Sequence, residues 1–190
     1  MDLAESHARI ARWIAEADPL GAAPFNRPAT EAQISAAEAR LGMVFPASIR
    51  NLYRLADGQP RDAVCLADAF NMMALEEVVE AADFLNDAFP GGINGEDPDH
   101  APMDVDMGIR ATWWWPRWIP MMTNGSGDYL CLDLDPADGG TVGQIISYYH
   151  DETYRRREAS GMDALLAKIA DMLSAGGYVI EEGMIEQKRA

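Results

Sequence analysis

The stretch WIPMMTNGSGDYLCLDLDPADGGTVGQIISYYHD, residues 118–151, sets aromatic and β-branched runs between clusters of turn residues, the pattern of consecutive antiparallel strands. The runs are WWWPRWIPMM (113–122), YLCLDLD (129–135) and GQIISYYH (143–150). Side chains alternate along a strand, so in the second run Leu130, Leu132 and Leu134 fall on one face and Tyr129, Cys131 and Asp133 on the other. Asn124 to Asp128 reads as a tight turn, and Asp135-Pro136 through Gly139-Gly140 as the next connection.

Helices flank this region on both sides. Leu3, His7, Ile10 and Ile14 recur at helical spacing, which predicts a helix over about 2–17, ending before Pro19, with His7 packed beside its apolar stripe. Residues 19–29 carry three prolines and a glycine and read as a connecting loop. Thr30 and Gln33 have the form of a capping box ahead of Ile34, Ala37 and Leu41, and Gly42 supplies a left-handed stop. Pro46 opens a further helix that ends before Asp57-Gly58. Leu75 to Phe89 places Val78, Val79, Ala82 and Leu85 on one face and acids on the other. Ser160 and Asp163 start a last helix, which Gly176-Gly177 end. Helices, then strands, then a helix predict an α+β fold in a single domain, with an antiparallel sheet of about four to six strands, N-terminal helices first and one C-terminal helix. The expected divisions are an N-terminal helix and Pro-rich connection (1–29), the main domain (30–180) and a polar tail (181–190).

Fifteen Lys and Arg against 31 Asp and Glu give a net charge of −16, which argues against nucleic acid or an anionic membrane as partner. The distribution is sharper than the total. Between Asp62 and Ile109 there is no Lys or Arg, while Asp62, Asp68, Glu76, Glu77, Glu80, Asp83, Asp87, Glu96, Asp97, Asp99, Asp104 and Asp106 all fall there. Such a run either solubilises a surface or speeds capture of a basic partner. The N-terminus lacks the basic leader and unbroken apolar stretch of a secretory signal, and two cysteines, Cys65 and Cys131, are too few for a disulfide framework. A reduced cytoplasmic setting is the expectation.

Catalytic and metal motifs do not complete. Asp133 to Gly139 imitates a calcium loop, but its glycine comes one place late, Ala137 takes the fifth position and Gln144 the twelfth. Asn124-Gly125-Ser126-Gly127-Asp128 lacks the Lys-Ser/Thr ending of a phosphate loop. His150-Asp151, as strand neighbours, would point to opposite faces and not converge. The expectation is therefore a protein without enzymatic activity, cofactor or metal.

Two segments together resemble the SUKH superfamily, which contains the Smi/Knr family of cell-wall assembly regulators as well as bacterial toxin-immunity proteins. The first is EAQISAAEARLGMVFPASIRNLYRLADGQ (31–59), a two-helix opening with Leu-Gly and hydrophobic-Pro features. The second is residues 118–151, with a Trp-hydrophobic-Pro strand, a Gly-Asp turn, a Leu-Asp strand and a Gly-Gln strand ending in His-Asp. Trp118, Pro120, Gly127, Asp128, Asp133, Gly143 and Asp151 match the family pattern, and most have an architectural explanation, Trp118 as a core anchor, the glycines as turns and Asp128 as a turn acceptor. The resemblance implies an α+β protein-binding scaffold and, among bacterial members, an immunity protein that occludes a cognate toxin. With this charge the partner expected is a protein, for instance a basic nuclease-type toxin domain, and the alternatives are a regulatory scaffold and a small-ligand binder. The partner-binding residues expected are Glu76, Glu77, Glu80, Asp83, Asp87, Glu96, Asp97, Asp99, Asp104 and Asp106, with Trp113 and Trp114 as exposed aromatic anchors. Oligomeric state is not legible in the sequence.

Overall fold

The structure is a computed structural model that describes residues 2–90 and 104–188. It has the expected α+β character, and the chain clusters into two compact units, Met1–Leu75 with Asp163–Ala190, and Glu76–Met162.

The first unit holds α1 (Leu3–Ala17), α2 (Glu31–Leu41), α3 (Ala47–Leu55), the short strand β1 (Asn71–Met72) and nearly all of α5 (Met162–Ser174). The first two helices start where the sequence provides a side-chain cap. Asp2 accepts from the Ala4 amide at the head of α1, whose Ile10 and Ile14 are buried. At α2 the Thr30 hydroxyl accepts from the Gln33 amide while the Gln33 side chain accepts from the Thr30 amide, satisfying two orphan donors. Gly42 then takes φ +65° and stops the helix, as the sequence predicts. His7 lies against Phe25, ring centroids 4.1 Å apart, and burial lowers its pKa. Residues 181–187 are not a polar tail. β8 (Tyr178–Glu181) and β9 (Met184–Gln187) form an antiparallel hairpin turned at Glu182-Gly183, both with positive φ.

The second unit is built on α4 (Leu75–Ala88), which begins at its border, and on β2 (Asp104–Val105), β3 (Trp118–Thr123), β4 (Tyr129–Asp133), β5 (Gln144–Tyr148), β6 (Tyr154–Arg155) and β7 (Arg157–Ala159). Strands β3, β4, β5 and β7 lie side by side in that order, each pair antiparallel, and β2 pairs with β6 in parallel. Trp118 stands opposite Asp133, and Asp133 opposite Gln144. The ladder of β3 shifts register between Pro120 and Met122, the kind of place where a strand tolerates a proline without losing a ladder bond. Both faces of β4 are covered: Leu130, Cys131, Leu132 and Asp133 are all buried.

The core of this unit is aromatic. Trp114 meets Trp118 edge-on at 5.9 Å and Tyr148 at 5.4 Å, and its indole N–H donates to Asn86 Oδ1 at 2.9 Å, tying α4 to the cluster. Trp113 and Trp114 are 4% and 0% exposed, so the expectation of surface anchors is corrected. The segment carrying them precedes β3 and folds inward over Ile146 and Cys131, because two adjacent indoles have more apolar area than an exposed loop can leave in water. Arg155, fully buried, sits over the rings of Trp113 and Tyr148 at 4.9 and 4.7 Å.

Trp114→Ala is expected to lower unfolding free energy by about 3–5 kcal/mol, read as a shift of the urea midpoint, whereas a substitution at exposed Phe84 should move it by less than about 0.5 kcal/mol.

Candidate protein-binding surface

On α4 the apolar positions Leu75, Val78, Val79, Ala82 and Leu85 are buried, and Glu76, Glu80 and Asp87 on the opposite side are exposed. Glu77 and Asp83 are half-buried at the edges of that face. At 100° per residue, positions 76, 80, 84 and 87 fall within an arc of about 80°, so the exposed acids share one stripe with Phe84, which is 67% exposed.

Several acids elsewhere in the chain are paired with arginine. Glu31 receives Arg54 and Arg50, which pull its pKa down to about 2, and Glu38 receives Arg50 at 2.5 Å. Asp104 is paired with Arg156, and its carboxyl is held below the usual range by that guanidinium. Asp106 accepts from the Arg157 amide at 2.9 Å and lies 3.4 Å from Arg156. Asp104 and Asp106 are thus engaged with arginines at the β2–β6 pair. Glu96, Asp97 and Asp99 lie outside the described residues, as does His100. Among the described residues the exposed acids of α4 that carry no ion pair are Glu76, Glu80 and Asp87.

The residues singled out between 118 and 151 gather at strand ends. Asn124 Oδ1 accepts from the Ser126 and Asp128 amides, and its amide group donates to Asp128 Oδ2 at 2.7 Å. Asp128 Oδ1 also receives the His150 amide at 3.0 Å and lies 2.8 Å from His150 Nδ1. Gly127 has φ +99°, a conformation that favours glycine, while a Cβ there would meet the His150 ring at an ordinary contact distance of 3.4 Å. Asp133 is fully buried and accepts from Gln144 Nε2 and the Asp135 amide, and Gln144 also donates to the Gly108 carbonyl. Gly143, at φ +91°, donates its amide to the Asp133 carbonyl.

A model of the SMI1 / KNR4 family (SUKH-1) matches residues 28–168. The chain belongs to the SMI1/KNR4 (SUKH-1) family. It is 24% identical to the cell wall assembly regulator SMI1 of Saccharomyces cerevisiae over 88% of this chain and 40% of that protein. It is 23% identical to the KNR4/SMI1 homolog of Kluyveromyces lactis, over 92% and 44%, and 23% identical to the cell wall biosynthesis/cell cycle regulator smi1 of Schizosaccharomyces pombe, over 95% and 38%. The chain spans about two-fifths of the length of these relatives.

Within this SUKH-1 chain His150 lies elsewhere than on the strand where the sequence reading put it. β5 ends at Tyr148, so His150 is past the strand and its ring returns to Asp128, with Asp151 Oδ1 3.9 Å from Nδ1. Asp128, His150 and Asp151 each offer a ligand atom within 4.8 Å of the others. The Asp128 carboxylate takes three donors, two on Oδ1 and one on Oδ2, and the trio closes the β4 and β5 ends. An open depression of about 600 Å³ is lined by Val105 to Ala111 and Pro136 to Asp138. Its Arg110 is held by Asp135 at 2.7 Å and stacks on Trp115, and Asp106 is held as above. No helix among the described residues is long and apolar enough to cross a membrane.

Burial pushes the Asp128 carboxyl up, but the His150 amide, the His150 ring and Asn124 outweigh it and the net shift is down. Asp128 in turn raises the His150 pKa above its ordinary 6.5. A raised histidine pKa contributes stability that is complete below pH 6.5 and lost as pH rises through the folded value. The lowered Asp128 contributes above pH 3.8, lost as pH falls. Urea midpoints of the native chain should therefore decline on the alkaline side of 6.5, and His150→Gln should remove that decline.

Proposed function

We propose that this SUKH-1 chain is a non-catalytic, cytoplasmic protein-binding module that engages a basic protein through the acidic outer face of α4. The observation that carries this reading is the stripe of Glu76, Glu80 and Asp87, exposed on one face of a helix that contains no Lys or Arg and, among the described residues, without an ion pair. Like charges held this close cost folding energy through self-repulsion and are offset when an oppositely charged surface arrives. The non-catalytic part is supported by the family matches to regulators and by the engagement of Asp128, Asp133 and His150 in local structure.

Two settings suit such a module. One is a regulatory scaffold, as the names of the fungal relatives suggest. The other is neutralisation of a basic toxin, for instance a nuclease, which the basic-free segment from Asp62 to Ile109 favours. Deletion separates them: altered growth or morphology marks the scaffold, and sensitivity to one specific toxin marks immunity.

The binding surface is tested by stopped-flow association with a basic protein partner recovered from the host by cross-linking. Replacing Glu76 and Glu80 by Gln and Asp87 by Asn should slow association about tenfold at low ionic strength and flatten its salt dependence, with an unchanged urea midpoint. Association as fast as wild type would remove α4 as the landing surface.

A further inference from the structure

The acidic stripe is not uniformly polar. Phe84 lies inside it, one helical turn after Glu80 and just under one turn before Asp87, and exposes 67% of its surface. Ala88, one turn further on, is exposed too. A single apolar side chain at a surface is ordinary. What distinguishes Phe84 is its surroundings: a rigid aromatic of low rotamer entropy, carried on a helix anchored from beneath by Val78, Val79, Ala82 and Leu85, and flanked along that helix by carboxylates. An apolar centre with a charged rim is how interfaces divide their labour, the centre slowing dissociation and the rim speeding encounter.

Resting on the binding role proposed above, we infer that Phe84 is the anchor of that surface, and that the occupant is a basic amphipathic segment of the partner, with Lys or Arg set around an aliphatic side chain that packs on the ring. Charge decides the occupant. A second copy of this chain would bring its own acidic stripe against this one, and a purely basic segment would leave Phe84 in water. From Glu76 to Asp87 the stripe runs roughly 16 Å along the axis at 1.5 Å per residue, long enough for about three turns of a facing helix. This mode of recognition, an amphipathic helix reading anchors at helical spacing, is common among peptide-binding proteins.

The test uses the full chain and two fluorescent helix-forming peptides of Lys and Ala, alike except that one carries a central row of Leu and the other Gln at the same positions. By fluorescence anisotropy the wild type should bind the Leu peptide about tenfold more tightly than the Gln peptide. Phe84→Ala should abolish that preference, Phe84→Leu should restore most of it, and the neutralised Glu76, Glu80 and Asp87 variant should weaken both peptides alike. Equal binding of the two peptides by wild type, together with weakening by the charge variant, would overturn the anchor and leave the acidic surface standing. Binding that neither variant alters would overturn both. A dimer in sedimentation that Phe84→Ala dissolves would also overturn the inference, because the occupant would then be a second copy.

Discussion

The second unit depends on one buried cation. Arg155 lies between the rings of Trp113 and Tyr148, fully out of solvent, and the groups it donates to are main-chain carbonyls: those of Glu152 and Tyr154 through one nitrogen and that of Trp113 through the other. Burial lowers its pKa, and among the described residues no carboxylate is one of its hydrogen-bond partners. A guanidinium held this way is costly to bury. Aromatic faces and carbonyl dipoles compensate only while the loop before β3 stays folded over β5. That requirement fixes Trp113 and Trp114 inward, brings Trp114 onto Trp118 and Tyr148, and through Asn86 holds the inner face of α4. The outward face of α4 is then a rigid surface.

The same economy explains how charge is divided. Asp133 is buried, its pKa raised by burial and moderated by Gln144, and it braces the junction of β4 and β5. Asp128 closes the opposite ends of those strands with His150. Asp104 and Asp106 pin β2 to the arginines beside β6. Each of these acids has a structural employment. Glu76, Glu80 and Asp87 of α4 have no ion pair among the described residues, since a helix with no Lys or Arg between Leu75 and Ala88 cannot form internal ion pairs at helical spacing.

Much of this was legible in the sequence, for physical reasons that can be named. The capping box at Thr30 and the left-handed Gly42 are local, and both appear where expected. The strand runs at 118–123, 129–133 and 144–148 are set off by turn residues whose backbone demands are equally local. What failed depended on contacts distant in sequence. Trp113 and Trp114 looked like exposed anchors because nothing nearby reveals Arg155 or Tyr148, more than thirty residues later. His150 looked divergent from Asp151 because the end of β5 is set by pairing with β4. The hairpin of β8 and β9 was missed although Val179 and Ile185 stand in short β-branched runs around Glu182-Gly183, a weaker turn signal than Asn-Gly. Phe84 was counted neither with the core face nor with the acids, although its helical angle places it among them.

The central claim is that recognition happens on α4 and not on the family-pattern residues. Amide hydrogen exchange of the chain, free and bound to its recovered basic partner, addresses it directly. The account predicts added protection over Glu76 to Asp87, with the segment from Asn124 to Asp151 unchanged. Added protection at Asn124 to Asp128 and around His150, with α4 exchanging as in the free chain, would contradict it.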